Sequence, residues 1–240
     1  MDVSKPFFFK QFAVAQDKVT MKVGTDGVLL GAWVDIRDKA SALDIGTGTG
    51  LIALILAQRM KDTALVDAVD IDPGAIEQAR DNFQSSPWAE RLFVHQEAIQ
   101  DYSNRVIRKY DIIVSNPPFF TGGMLSEFNT KNDVRHTIKL PHGDLLRAVS
   151  RLLLKEGSLG LILPYLQGLR FIEISESYGL YPKRITEVRG RADKPVERLL
   201  LELSYDRSLT PIREELIIHA DQTAYSETYQ DLTRPFYLNF

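Results

Sequence analysis

From about residue 40 onward, short apolar runs alternate with stretches of helical periodicity. Ala42-Leu43-Asp44-Ile45 reads as a short strand that ends in glycines. Leu51 to Met60 is apolar on all sides, which predicts a buried helix. Ala64 to Ile71 predicts a second strand. Pro73 then opens a helix at the first-turn position, where a missing N–H costs little, and Ile76, Ala79 and Phe83 follow at helical spacing. Arg91 to Gln96, Asp111 to Ser115 and Ser158 to Leu163 predict three more strands, the last preceded by a helix over 143–154. This alternation implies βαβ units and hence a parallel sheet covered on both faces. After residue 164 the pattern changes. A helix over 165–178 leads to strands at Ile185–Arg189 and Glu197–Tyr205, separated only by Gly190 to Val196. That interval is too short for a parallel crossover and predicts an antiparallel hairpin at one end of the sheet. With no internal repeat and no linker, the chain is expected to be one α/β domain over 1–240, with a core over 40–206, an extension over 1–39 and a packing tail over 207–240.

Composition narrows the classes. A hydrophobic fraction of 44% and a charged fraction of 25% are ordinary for a globular chain and exclude disordered or low-complexity architectures. The absence of cysteine removes disulfides, thiolate zinc sites, iron–sulfur clusters and cysteine nucleophiles, and no metal site is expected. The longest apolar run, Leu51 to Ala57, falls far short of the roughly 20 residues that span a bilayer. The segment from Met1 to Pro6 lacks the features of a signal peptide, so a cytoplasmic protein away from membranes is expected. Lys and Arg number 29 against 32 Asp and Glu, a net charge of -3. The total offers no global attraction to nucleic acid but leaves room for a local basic face.

Asp44-Ile45-Gly46-Thr47-Gly48-Thr49-Gly50 joins the first core strand to its helix, at a carboxyl end where parallel sheets bind ligands. The glycines are spaced G-x-G-x-G rather than the G-x-G-x-x-G of a dinucleotide fingerprint, which disfavours a nicotinamide oxidoreductase. Asp44 would repel a pyrophosphate but suits a cationic or amino-bearing ligand. Asp70, at the end of the next strand, stands where a carboxylate accepts hydrogen bonds from ribose hydroxyls. A nucleoside carrying positive charge satisfies all three conditions, and S-adenosyl-L-methionine is such a molecule.

The strand at 111–115 runs into Asn116-Pro117-Pro118-Phe119-Phe120. Two prolines stiffen the backbone and withdraw their N–H groups, leaving acceptors in excess. Asn116 adds a side-chain carbonyl, and Phe119 adds a ring. Such a loop can accept both protons of a planar amino group while the ring holds its plane. Aryl amines and amides are poor nucleophiles because their lone pair is delocalised. Acceptors fixed in advance at both protons favour the more tetrahedral, positively charged nitrogen, by about 2–4 kcal/mol per well-aimed group.

These two motifs resemble those of the class I S-adenosylmethionine-dependent methyltransferases with an N-P-P-F/Y motif, over residues 40 to 165. The resemblance implies a Rossmann-like fold and methylation of exocyclic adenine or glutamine-amide nitrogens. By position it implies that Gly46, Gly48 and Gly50 form the cofactor loop and that Asp70 holds the ribose. It further implies that Asn116 and Pro117 grip the amino group while Phe119 stacks on its plane. One departure is Ala98, where related enzymes place an Asp on the cofactor adenine; Glu97 is adjacent but is expected to point elsewhere.

The N-terminal stretch Phe9-Lys10-Gln11-Phe12, Gln16, Met21 to Gly27 and Leu29 to Trp33 is similar to the start of the bacterial valine-tRNA adenine-N6 methyltransferases. Arg135-His136 and Phe236-Tyr237-Leu238 also fit that family. The resemblance implies a tRNA partner, engaged at the adenine beside the anticodon, and places Lys22, Thr25 and Asp26 near the methionine end of the cofactor. From their chemistry alone, Thr25 and Asp26 either cap a helix or contact the cofactor. Arg135 and His136 either bind phosphate or are solvated. Lys183, Arg184, Arg189, Arg191, Lys194 and Arg198 crowd the hairpin, as an RNA-backbone contact or as charge that keeps an exposed edge from aggregating. The aromatic residues near the C-terminal end, Tyr225 to Phe240, are expected to dock on the core. The alternatives to a tRNA adenine-N6 methyltransferase are a protein-glutamine N5-methyltransferase and a non-catalytic RNA-binding module.

Overall fold

The computed structural model describes residues 5–117 and 140–240. Its centre is an eight-stranded sheet built from β3 (Ser41–Ile45), β4 (Leu65–Asp70), β5 (Leu92–Gln96), β6 (Tyr110–Ser115), β7 (Leu153–Pro164), β8 (Tyr181–Arg191), β9 (Val196–Ser204) and β10 (Ile212–His219). The strand order is β10-β8-β9-β7-β6-β3-β4-β5. The five strands from β7 to β5 run parallel, β9 is antiparallel to both β7 and β8, and β10 pairs parallel with β8.

All five residues of β3 are buried, as a central strand covered on both faces requires. Alternate residues feed different cores. Ala42, Ile112 and Val114 pack under α1 (Thr25–Trp33) and α2 (Leu51–Arg59), whereas Leu43, Ile45 and Ile113 meet α5 (His142–Leu152) and α6 (Tyr165–Ser175) on the other side. Close packing of α1 on α2 depends on Gly31, where a β-carbon would lie 2.8 Å from the Ile55 side chain. α3 (Pro73–Gln84) starts with Asp72 accepting hydrogen bonds from the backbone N–H groups of Gly74 and Ala75, with Pro73 in the first turn.

The predicted hairpin is β8–β9, but it does not end the sheet. β10 lies outside it, so the stretch after residue 207 contributes an edge strand as well as packing. The aromatic residues beyond it do dock: Tyr229 and Phe236 are almost fully buried, and the Tyr237 ring stacks 5.8 Å from Phe9. A short N-terminal ribbon, β1 (Phe7–Phe8) with β2 (Ala13–Val14), completes this side. Lys10 fastens it by donating from Nζ to the carbonyls of Arg234 and Phe240, each at 2.7 Å. Among the described residues, no helix is long and apolar enough to cross a membrane.

Candidate active site

The order of the sheet reverses between β3 and β6, the switch point at which doubly wound sheets form a ligand crevice beyond the carboxyl ends of their strands. Ser115 Oγ ties the two exits together by donating to the Ile45 carbonyl at 2.8 Å.

All three loop glycines have positive φ, 73° at Gly46, 54° at Gly48 and 82° at Gly50. Their roles differ. Among the described residues, a β-carbon at Gly46 or Gly48 would meet no atom within 4 Å, so these two face open space. At Gly50 it would lie 2.5 Å from the Phe83 ring, so the third glycine serves helix packing. Gly46 N–H donates to the Val69 carbonyl at 2.8 Å, which pins the loop to the end of β4.

Two carboxylates flank this loop. Asp44 is fully buried; its Oδ2 accepts from Thr47 Oγ1 at 2.7 Å, while Oδ1 has no hydrogen-bond partner. Burial raises its pKa to about 7, against the opposing hydrogen bond from Thr47 and with a smaller contribution from the nearby charge of Asp70. Asp70 accepts backbone N–H bonds from Gly48 on Oδ2 at 2.9 Å and from Asp72 on Oδ1 at 3.0 Å. A carboxylate offers about four acceptor sites, so this geometry leaves two for ribose hydroxyls. Burial also raises the pKa of Asp70, opposed by these N–H bonds.

Ala98 caps the N-terminus of α4 (Ile99–Arg105) through its carbonyl, which accepts from the N–H groups of Asp101 and Tyr102. Glu97 does point elsewhere: its carboxylate pairs with Arg105 at 2.6 Å, which lowers its pKa. Asn116 follows β6, and its Oδ1 is buried without a hydrogen-bond partner among the described residues; Pro117 is buried beside it. Phe119, Arg135 and His136 lie outside the described residues.

At the start of α1, Asp26 pairs with Arg198 of β9 at 3.0 Å, and Lys22 Nζ donates to the Gln16 carbonyl at 2.5 Å. Thr25 is exposed. Gly27, directly after Asp26, packs against Leu51 at the end of the glycine loop, so the start of α1 forms a rim beside that loop.

Two residues not marked in the sequence reading hold this rim in place. Asn82 of α3 accepts from Ala15 N–H at 2.8 Å and donates to the carbonyls of Ala15 at 2.9 Å and Thr49 at 2.8 Å. Gln78 accepts from Lys18 N–H at 2.8 Å. Both are buried, although polar residues on an amphipathic helix ordinarily read as its solvated face.

The basic hairpin is divided. Arg189 and Arg191 lie at the end of β8, on the same edge as the crevice, and pair with Glu215 at 2.5 Å and Asp193 at 3.1 Å. Lys183 and Arg184 lie at the start of β8, toward the opposite edge, and share the buried Glu202 at 2.8 and 3.3 Å. The six cations are therefore not one continuous RNA-facing surface, because strand direction carries them to two ends of the sheet.

This fold and crevice define a methyltransferase. The family model Methyltransferase small domain matches residues 22–162. A solved structure of a predicted O-methyltransferase from Agrobacterium tumefaciens superposes with a TM-score of 0.67 at 18% identity, covering 88% of this chain and 96% of its own. The ribosomal protein L11 methylase of Lactobacillus delbrueckii superposes with a TM-score of 0.52 at 16% identity, covering 74% and 76%. The chain belongs, more narrowly, to the tRNA1(Val) (adenine(37)-N6)-methyltransferase family. The member from Aeromonas salmonicida is 45% identical over 97% of both chains, and that from Christiangramia forsetii is 41% identical over 98% of both. The methyl donor of this class is S-adenosyl-L-methionine. The crevice fits it: open space over two glycines, a carboxylate with spare acceptor sites at the end of β4, and an unpartnered oxygen on Asp44.

Proposed function

We propose that this protein methylates the exocyclic N6 of an adenine in tRNA, at position 37 beside the anticodon of a valine tRNA. The observation that carries this reading is Asn116 Oδ1, a buried acceptor lacking a donor beside the glycine loop. The family membership supports the substrate.

S-adenosyl-L-methionine supplies, when bound, an electrophilic methyl group on its sulfonium. The backbone of Gly46 and Gly48 would line it, Asp70 would accept from its ribose, and Asp44 Oδ1 would face its ammonium. Lys22, Thr25 and Asp26 would border its methionine end. Ala98 offers no side-chain acceptor for the cofactor adenine, so main-chain atoms have that task. Asn116 Oδ1 and the Pro117 carbonyl would accept the two amino protons of the target adenine. Acceptors fixed in advance stabilise the charge that develops on the nitrogen without reorganising during transfer. No strong base is needed, because the methylated nitrogen is acidic enough to lose its proton to water. Phe119 is assigned to stacking on the target ring from the sequence motif alone, and Arg135 and His136 to phosphate contact on the same basis.

The target base must leave its stack, at a cost of a few kcal/mol, and a loop that is already partly unpaired lowers that cost. Arg189 and Arg191 sit on the correct edge to meet the RNA backbone. Their carboxylate partners are half-exposed, and surface pairs of this kind contribute only about 0–1 kcal/mol, so phosphates can displace them. A tRNA substrate puts the enzyme in the cytoplasm.

Asn116→Ala tests the assignment. Cofactor affinity should stay within about twofold while single-turnover methyl transfer falls by about a hundredfold or more. Nucleoside mass spectrometry of tRNA treated with the wild-type protein should show N6-methyladenosine. Unchanged single-turnover transfer in the variant would remove Asn116 from the chemistry.

A further inference from the structure

A second cavity of about 410 Å³ lies away from the crevice, among the C-terminal end of α1 and the starts of β8 and β10. That volume is within the range of small-ligand sites. α1 separates it from the rim of the crevice: Asp26 stands near one end of this nine-residue helix and Trp33 at the other, about 10 Å apart.

Four cations line it, Arg37, Arg59, Lys183 and Arg184, against three carboxylates. Each carboxylate is already engaged. Asp35 is held by Arg37 at 2.7 Å, and Glu202 by Lys183 and Arg184. Glu214 accepts from Thr186 Oγ1 at 2.9 Å. What is left over is cationic. Arg59 has no carboxylate within 4 Å among the described residues; its Nη1 donates to the Gly31 carbonyl. Its pKa is pulled down to about 10, mainly by burial, while Asp35 offsets part of this and the neighbouring Arg184 adds to it. Arg184 lies 3.8 Å over the Trp33 ring and donates to the Trp33 carbonyl, yet its Nε is buried without an acceptor. Capping the last carbonyls of α1 accounts for one N–H of each guanidinium. It leaves the other donors of Arg59, which has no carboxylate partner among the described residues, lining the open cavity beside Lys183 and the Arg184 guanidinium, an arrangement that an anion completes.

We propose that this cavity is a binding site for a phosphate group, held by Arg59 with Lys183 and the Arg184 guanidinium beside it. Guanidinium groups suit this ligand because their planar N–H donors match phosphate oxygens in pairs. The phosphate can belong to a part of the RNA substrate remote from the target base, or to a small phosphorylated molecule. The site stands on its own geometry, and only the RNA source rests on the tRNA reading.

The test uses the full-length protein and a substitution that leaves the arginines in place. Ile212 is 57% exposed, lines the cavity and begins the edge strand, so Ile212→Glu adds a negative charge without disturbing the core. Calorimetric titration with inorganic phosphate at constant ionic strength should show saturable binding that Ile212→Glu weakens about tenfold. Arg59→Gln should weaken it similarly, with unfolding temperature and cofactor affinity of both variants recorded as controls. Binding of bulk tRNA across a salt series separates the sources. For an RNA phosphate, Ile212→Glu also weakens tRNA and lowers the log–log salt slope by about one. For a small phosphorylated ligand, tRNA binding is unchanged while phosphate binding is lost. Absence of saturable phosphate binding together with unaltered tRNA binding in Ile212→Glu overturns the proposal. That result leaves the methylation assay untouched, so the two readings fail separately.

Discussion

The glycine loop after β3 and the turn between β8 and β9 occupy the same edge of the sheet and treat charge in opposite ways. At the turn, Arg189 and Arg191 each carry a carboxylate partner that is itself half-exposed. At the loop, Asp44 is buried with one oxygen bare, and Asp70 is met only by backbone N–H groups. The first region has satisfied charge that is cheap to exchange. The second has unsatisfied charge that is costly to keep, which is how a protein stores affinity for a cation in advance. The position of unmet charge says more about function here than the net value of -3 does.

Substitutions can sharpen this contrast. Asp70→Ala should have the largest effect, because it removes the ribose acceptor and the partner of Gly48 N–H together. Hydrogen bonds to a charged acceptor contribute about 1.5–3 kcal/mol each, so cofactor affinity should fall by about a hundredfold or more in equilibrium titration. A loss below tenfold would mean that the ribose is held elsewhere.

Asp44→Asn should weaken the cofactor by about tenfold at pH 8 and by less at pH 6. The wild-type carboxyl titrates near pH 7 in the free protein, and a cationic ammonium favours its ionised form. Affinity should therefore decline as pH drops below about 7, with a flat profile in the variant. Stability of the free protein runs the other way. A carboxyl whose folded pKa is raised stabilises the fold fully below its unfolded pKa, and that stabilisation disappears as pH rises through the folded value. The unfolding temperature should consequently fall between about pH 4 and 7 relative to Asp44→Asn, and saturating cofactor should reduce the slope. Identical pH profiles for the two proteins would contradict this account.

The smallest effect belongs to the turn. Arg191→Ala should weaken tRNA about two- to threefold and reduce the salt slope by about one, without changing cofactor affinity. An unaltered slope would show that the turn does not touch the RNA backbone.

The strands β3 to β7 and the glycine loop are legible in the sequence because buried parallel strands are near-continuous apolar runs and a tight exit needs glycine. β10 escapes this reading. In Ile212–His219 only Leu216 is buried, so the strand shows neither the apolar run of a central strand nor a sustained alternation. α4 is short and has only Ile99, Tyr102 and Ser103 inside. Asn82 and Gln78 look like surface residues until the N-terminal arm lies across them, and nothing local marks that event. The division of the hairpin cations depends on strand direction and on Glu202 lying opposite Arg184, which is a matter of register. Cations can be counted along a sequence; their partners cannot.

The bonds from Lys10 to the carbonyls of Arg234 and Phe240 span 224 and 230 positions. During synthesis the central sheet can assemble as it emerges, since its contacts form between segments made close together. The N-terminal ribbon cannot: its Phe9 ring needs Tyr237, and its Lys10 needs the carbonyls of Arg234 and Phe240. That ribbon is thus seated only after Phe240 has been made, and a nascent protein has its glycine loop before the ribbon is fixed.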